Sequence, residues 1–110
     1  MKNLENIKDI EKAISNEAVL LYIAAPNCNV CEVLKPKIKE LFKSNFPKVL
    51  LYEADIAKVS EISSRFNIFS APLMMLFFDG QEFVREGRNV SLPLLKERVE
   101  KVYNLYFKDD

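Results

Sequence analysis

Residues 24–41 read AAPNCNVCEVLKPKIKEL, and this stretch predicts how the chain is arranged. It holds both cysteines of the 110-residue chain, Cys28 and Cys31, with two residues between them. A nearly continuous apolar run, Ala18 to Ala25, leads into the cysteines and predicts a buried strand. Beyond them, apolar residues recur every three to four positions and predict a helix from about Val30 to Lys43. We therefore expect the cysteines at a strand-to-helix junction.

A cysteine at such a junction is favoured as a nucleophile. The first turn of a helix leaves backbone N–H groups unpaired, and these groups together with the helix dipole stabilise an anion. The thiolate is the anionic form of cysteine and the form that attacks a disulfide. Cys28 is therefore predicted to be the attacking thiol. Cys31, one turn further along, is predicted to resolve the mixed disulfide.

Two other interpretations of the cysteines are open. Both can be small apolar residues of a core. Both can also belong to a metal site, but a zinc site normally needs four ligands, and this chain has two cysteines and no histidine. A zinc or iron–sulfur site would need carboxylates or a second chain. The sequence favours dithiol redox chemistry, and we expect no metal site and no bound cofactor.

The length and composition of the chain are typical of a globular protein. Apolar residues make up 49% and charged residues 29% of the sequence, and a length of 110 residues predicts a single domain over 1–110. Basic and acidic side chains are equal in number, at 16 each, which argues against nucleic acid as a partner. Residues 1–15 lack the apolar core of a signal peptide, and no stretch is long enough to span a membrane. We expect a cytoplasmic protein without a membrane partner, and a monomer.

The remaining patterns predict one α/β domain. Asn3 is the expected N-cap of a first helix, and Ser91 that of a last one. Asp79-Gly80 between two apolar runs predicts a hairpin, because a type I′ turn needs positive φ at both positions. The tail, residues 108–110, is expected to be loose. A mixed central sheet of about four strands, with helices on both faces, would cover every apolar stripe. The predicted strands are Ala18–Ala25, Lys48–Asp55, Leu73–Phe78 and Gln81–Glu86.

The element order resembles that of the thioredoxin family over essentially the whole chain. Cys28-Asn29-Val30-Cys31 is similar to the family's redox motif, and Pro36 to the proline in its helix. Ser70-Ala71-Pro72 resembles the loop that carries the family's cis proline. Asp79-Gly80 and Gly87 resemble its hairpin turn and its late glycine. Together these motifs are more specific than the cysteine spacing alone.

The resemblance implies a thioredoxin-like fold and a thiol-disulfide oxidoreductase. Such a protein reduces protein disulfides by cycling Cys28 and Cys31 between dithiol and disulfide. A donor of the thioredoxin-reductase kind would return the electrons. The resemblance also implies that the Ala71–Pro72 bond is cis. The implied substrate-binding surface consists of Val30, Ser70, Ala71, Pro72 and Gly87.

The chain also departs from the family pattern. Thioredoxins usually carry Trp-Cys-Gly-Pro-Cys. In this chain Asn27 precedes Cys28, and Asn29 and Val30 lie between the two cysteines. The chain has no tryptophan. Tyr22 stands where the family has a buried aspartate. In the family a lysine on the second strand partners that aspartate, and Leu51 lies near the position of this lysine. Such a general base typically contributes about a hundred- to ten-thousandfold in rate, and a tyrosine with a pKa near ~10 replaces it poorly. We therefore predict a weaker general reductant than a standard thioredoxin. The alternative is a non-catalytic binding or chaperone-like module of the same fold.

Overall fold

The computed structural model describes residues 1–108, and these form four helices and a five-stranded mixed sheet. The elements in chain order are β1 (Lys2–Asn3), α1 (Ile7–Ile14), β2 (Ala18–Ala24), α2 (Asn29–Asn45), β3 (Leu50–Asp55), α3 (Glu61–Phe66), β4 (Leu73–Phe78), β5 (Gln81–Glu86) and α4 (Leu92–Tyr106). The strands lie in the order β1-β3-β2-β4-β5, with β1, β3 and β2 parallel and β4 antiparallel to both β2 and β5. Asp109 and Asp110, in the tail that was expected to be loose, lie outside the described residues.

The central strand β2 explains the continuous apolar run in the sequence. Its residues are buried on both faces of the sheet, because α1 and α3 cover one face and α2 and α4 cover the other. The α/β class and the helices on both faces are therefore confirmed. One core cluster includes Ile10, Ile14, Leu21, Ile62, Phe66 and Phe77. The other includes Tyr22, Leu34, Ile38, Phe42, Met74 and Val99.

The sheet has five strands, one more than the four or so that were predicted. The additional strand, β1, is two residues long, and Lys2 and Asn3 pair in parallel with Tyr52 and Glu53 of β3. Both residues of β1 are exposed, so no apolar pattern marks the strand. The first helix also begins later than expected, because its N-cap is Asn6 rather than Asn3.

The strand register brings three loops to one edge of the sheet. The carboxyl end of β2 pairs with the amino end of β4 through Ile23 and Leu73. The next residue, Met74, pairs with Glu86 at the end of β5. The segments that follow β2, precede β4 and follow β5 therefore meet at this edge. All of the predicted site residues belong to these segments or to the start of α2.

A tight turn joins β4 to β5, as the Asp79-Gly80 pair predicts. The φ angles of Asp79 and Gly80 are 51° and 79°, which is the positive-φ pair that a type I′ turn needs. α2 remains helical through Pro36. Among residues 1–108, no helix has the length and apolar character needed to cross a lipid bilayer.

Candidate active site

The two cysteines lie where β2 gives way to α2. Cys28 is the N-cap of α2, and its sulfur accepts a hydrogen bond of 3.1 Å from the backbone N–H of Cys31. A disulfide bond joins the two residues, with their Cα atoms 5.3 Å apart. Cys28 is half-buried, whereas Cys31 is 4% exposed. Of the two sulfurs, that of Cys28 is therefore the one within reach of another molecule.

The turn before Cys28 follows from the local sequence. β2 ends at Ala24, and Pro26 cannot donate a hydrogen bond to continue the sheet. Asn27 then adopts a left-handed conformation with φ 55°, which asparagine tolerates better than most residues. The chain thereby changes direction within a few residues and places Cys28 at the start of the helix.

Tyr22 contacts the main chain behind the disulfide. It is fully buried on β2, and its hydroxyl donates a hydrogen bond of 2.9 Å to the carbonyl oxygen of Cys31. Burial, and then the negative charges of Glu53 and Glu32, raise the pKa of Tyr22 to about 12. The phenol is therefore neutral near pH 7. It fixes the position of the helix but does not accept a proton there.

An ion pair lies beside Tyr22. Glu53 is the register partner of Tyr22 on β3, and its carboxylate lies 2.7 Å from the Nζ atom of Lys35 on α2. The side chain of Glu53 is 18% exposed and that of Lys35 is 35% exposed. The sequence patterns did not predict this ion pair. A glutamate within an otherwise apolar strand was the available signal, because a half-buried carboxylate requires a partner.

The predicted substrate-binding residues lie at the same edge of the sheet. The Ala71–Pro72 peptide bond is cis, Pro72 is buried, Ala71 is half-buried and Ser70 is exposed. Gly87 comes close to this loop, because a Cβ atom on it would lie 3.9 Å from the carbonyl oxygen of Pro72. The structure thus brings Gly87 and Pro72 together. Val30 is half-buried at the start of α2.

Two surface features of this edge were not predicted from the sequence. Phe69, next to Ser70, is 79% exposed, so a large apolar ring stands beside the loop that carries Pro72. Val30 lines a cavity of about 420 Å³ together with Arg88 and Val90, which lie on the segment after β5. These residues are far apart in sequence, so their proximity depends on the fold.

The arrangement is suited to two-electron thiol chemistry. Reduction of the disulfide gives one thiol at a helix N-terminus, where a thiolate is stabilised, and a second, buried thiol behind it. Within residues 1–108, no three histidine, cysteine, aspartate or glutamate side chains are grouped so that they could hold a metal ion.

Comparison with known proteins agrees with this chemistry. The thioredoxin family model matches residues 3–101. The thioredoxin-like protein YdfQ of Bacillus subtilis is 34% identical over 107 residues, which cover 96% of this chain and 95% of that protein. A thioredoxin of Mycobacterium tuberculosis is 29% identical over 92 residues, which cover 83% of this chain and 79% of that protein.

Solved structures show the same fold. A thioredoxin of Plasmodium falciparum superposes with a TM-score of 0.79 at 25% identity, covering 92% of this chain and 98% of that one. A thioredoxin variant from Halobacterium salinarum has a TM-score of 0.78 at 18% identity, covers 99% of this chain and 92% of that one, and shows the fold alone. The chain therefore belongs to the thioredoxin family, and its Cys28–Cys31 pair is the CxxC pair of a thiol-disulfide oxidoreductase.

Proposed function

We propose that this chain reduces protein disulfides with Cys28 as the nucleophile and Cys31 as the resolving thiol. The observation that carries the proposal is the unequal exposure of the two sulfurs. Cys28 is half-buried at the N-cap of α2, whereas Cys31 is 4% exposed behind it. An incoming disulfide meets Cys28 first, and Cys31 is already at bonding distance for the second step.

The reaction has two exchange steps. The Cys28 thiolate attacks one sulfur of the substrate, so that a mixed disulfide forms and the other substrate sulfur leaves as a thiolate. Cys31 then loses its proton to solvent and attacks the Cys28 sulfur. The Cys28–Cys31 disulfide forms, and the second substrate sulfur leaves. Two electrons pass from the chain to the substrate, and a thioredoxin-reductase-like donor returns two electrons to Cys28 and Cys31.

The proposed substrate surface lies at the same edge of the sheet as the disulfide. An extended substrate segment can pair with the exposed backbone of Ser70 and Ala71, and such main-chain pairing tolerates many sequences. Gly87 supports this assignment, because a Cβ atom on it would lie only 3.9 Å from the carbonyl oxygen of Pro72. The residues assigned to the surface are Val30, Ser70, Ala71, Pro72 and Gly87.

We also propose that the chain is a weaker general reductant than a standard thioredoxin. In support, the position behind Cys31 is filled by Tyr22, a neutral hydrogen-bond donor near pH 7. No proton acceptor at that position assists the departure of the Cys31 proton. Under identical insulin-reduction conditions, the Mycobacterium tuberculosis thioredoxin should turn over at least about tenfold faster. Equal rates would refute this part of the proposal.

The proposal extends to the setting in which the chain acts. A dithiol reductant must be kept reduced, which favours a reducing compartment such as the cytoplasm. We assign the chain as one domain and a monomer, because the apolar faces of the helices pack against the two faces of a single sheet. Its partners are then protein disulfides and a reductase.

Insulin reduction, with dithiothreitol as the electron donor, tests the assignment of the cysteines. Cys28→Ser should abolish turnover. In a separate reaction without dithiothreitol, the pre-reduced Cys31→Ser variant should instead stop at a mixed disulfide between Cys28 and insulin, which mass spectrometry detects. In a pH titration of the reduced wild type, the thiolate absorbance should rise at a pH well below the free-thiol pKa of about 8.5. This transition should be absent in Cys28→Ser.

The opposite result would favour the binding or chaperone-like alternative. Turnover that survives Cys28→Ser, or a thiolate transition at or above the free-thiol value, would remove the chemical basis for the reductase. The observation that keeps this alternative open is the neutral phenol of Tyr22 behind Cys31, which supplies no proton acceptor there. A binding module should retain its partner in Cys28→Ser, whereas a reductase should lose turnover.

A further inference from the structure

A groove begins at Asn29, the residue after Cys28, and runs along α2. It is the cavity of about 420 Å³ that Val30 lines with Arg88 and Val90. One wall is the α2 stripe of Val30, Val33 and Lys37, and the other is formed by Arg88 and Val90. The stripe follows from helical spacing, because residues three and four positions apart share a face. Val33 is 58% exposed and supplies apolar surface that water covers in the free protein.

A tight turn sets the opposite wall. The backbone N–H of Val90 donates a hydrogen bond of 3.2 Å to the carbonyl of Gly87, which closes a four-residue turn with Arg88 inside it. Gly87 also lies against the carbonyl of Pro72. The groove is therefore continuous with the proposed substrate surface at both walls, through Gly87 on one side and Val30 on the other.

The charge of the groove is of one sign. Lys37 and Arg88 are its charged lining residues, both are exposed, and within residues 1–108 neither takes part in an ion pair. Glu40, three positions after Lys37, is the carboxylate nearest to Lys37 along α2, and it lines the neighbouring pocket rather than this groove. Because basic and acidic side chains are equal in number, this local excess does not come from the composition.

We propose that this groove binds the substrate segment next to the target cysteine and selects an apolar side chain flanked by a carboxylate. The apolar side chain packs against Val30 and Val33, and the carboxylate is attracted by Lys37 and Arg88. The inference rests on the proposed reductase function, since the groove opens beside Cys28. It makes the chain selective for protein disulfides in acidic, partly apolar segments.

Two disulfide-cyclised peptides test this selectivity. They are identical except that the residues after one cysteine are Leu-Glu in the first and Leu-Lys in the second. The pre-reduced protein should reduce the acidic peptide roughly three- to tenfold faster at low salt. The preference should shrink as salt rises from about 0.01 M to about 1 M, because exposed charges are screened. Acid quenching and chromatography give both rate constants.

Charge-reversal variants locate the effect. The double variant Lys37→Glu and Arg88→Glu should reverse the preference towards the basic peptide, which also shows that the variant is folded and active. The matched control, Lys39→Glu and Lys43→Glu, changes net charge equally on the other side of α2 and should keep the acidic preference.

Equal reduction of both peptides by the wild type, or the same reversal in the control variant, would overturn the groove assignment and leave the reductase function intact. Reduction of neither peptide would overturn the reductase function and the groove assignment with it.

Discussion

The Tyr22 hydroxyl donates a hydrogen bond of 2.9 Å to the carbonyl oxygen of Cys31, and thereby ties the central strand to the first turn of the redox helix. Because Tyr22 is fully buried, this bond is protected from water. The pKa of Tyr22 is raised to about 12, so its phenol is neutral near pH 7 and holds the helix in place without taking a proton.

Removal of this hydroxyl should cost stability but little activity. Tyr22→Phe should lower the free energy of unfolding by about 1 kcal/mol, because it deletes one buried hydrogen bond and keeps the ring. The rate of insulin reduction should stay within about twofold, since a neutral phenol takes no part in proton transfer. Urea denaturation and the insulin assay measure the two effects.

Tyr52→Phe is a matched control for this variant. Tyr52 lies half-buried on β3, and within residues 1–108 its hydroxyl forms no hydrogen bond to the protein, so the expected cost is below about 0.5 kcal/mol. A tenfold loss of activity in Tyr22→Phe, with Tyr52→Phe unaffected, would show that the Tyr22 hydroxyl acts in the chemistry after all.

The stability of the fold should depend on Tyr22 at alkaline pH. The pKa of Tyr22 is about 12 in the folded protein and about 10 in an unfolded chain. Its stabilising contribution is therefore complete below about pH 10 and is lost as pH rises towards 12. The wild type should exceed Tyr22→Phe in stability at pH 8, and this advantage should shrink between pH 10 and pH 12.

Urea denaturation of both proteins at several pH values measures the difference. Subtraction of the two curves cancels the other groups that titrate in this range, including Tyr106, whose pKa is also raised to about 12 by its hydrogen bond to Asp79. A difference that does not change up to pH 12 would contradict the assignment of the raised pKa to Tyr22.

The ion pair between Lys35 and Glu53 should be worth more than a pair on the open surface. It joins α2 to β3 next to Tyr22, and the side chain of Glu53 is 18% exposed. A double-mutant cycle with Lys35→Met and Glu53→Gln should give a coupling free energy of about 1 kcal/mol.

The ion pair between Glu11 and Arg65 is the control for this cycle. Its side chains are 42% and 47% exposed, so its coupling free energy should fall below about 0.5 kcal/mol. Equal coupling in the two cycles would mean that partial burial adds nothing here.

Much of the fold could be predicted because its main elements carry strong patterns. β2 and β4 are continuous apolar runs, and burial on both faces produces such runs. The Asp79-Gly80 turn is specified by two residues that tolerate positive φ. The cysteine spacing indicated the chemistry because a helix N-terminus favours a thiolate. These signals are local, so the sequence contains them in full.

The features that were missed depend on contacts between distant segments. Leu4 is buried and lies in phase with Ile7 and Ile10, and an N-cap at Asn3 would make it the first residue of the helix. In the structure its backbone N–H instead pairs with the carbonyl of Glu53. Similarly, no local pattern places Arg88 opposite Val30 across the groove. Such a juxtaposition is set by the strand order and the turn after β5, and neither can be derived from helical or strand periodicity.

Replacement of Gly80 by alanine should affect stability, whereas replacement of Gly87 should affect substrate binding. Gly80 has a φ of 79°, so Gly80→Ala should cost about 1 kcal/mol of stability and leave the kinetics of disulfide reduction unchanged. Gly87 has no such requirement, and a Cβ atom there would make an ordinary contact at 3.9 Å with the carbonyl oxygen of Pro72. Gly87→Ala should therefore fold normally but raise KM for insulin, because the methyl group occupies the approach to Pro72. Urea denaturation and steady-state kinetics on both variants separate the two effects. If Gly87→Ala left KM unchanged, Gly87 would not belong to the substrate surface.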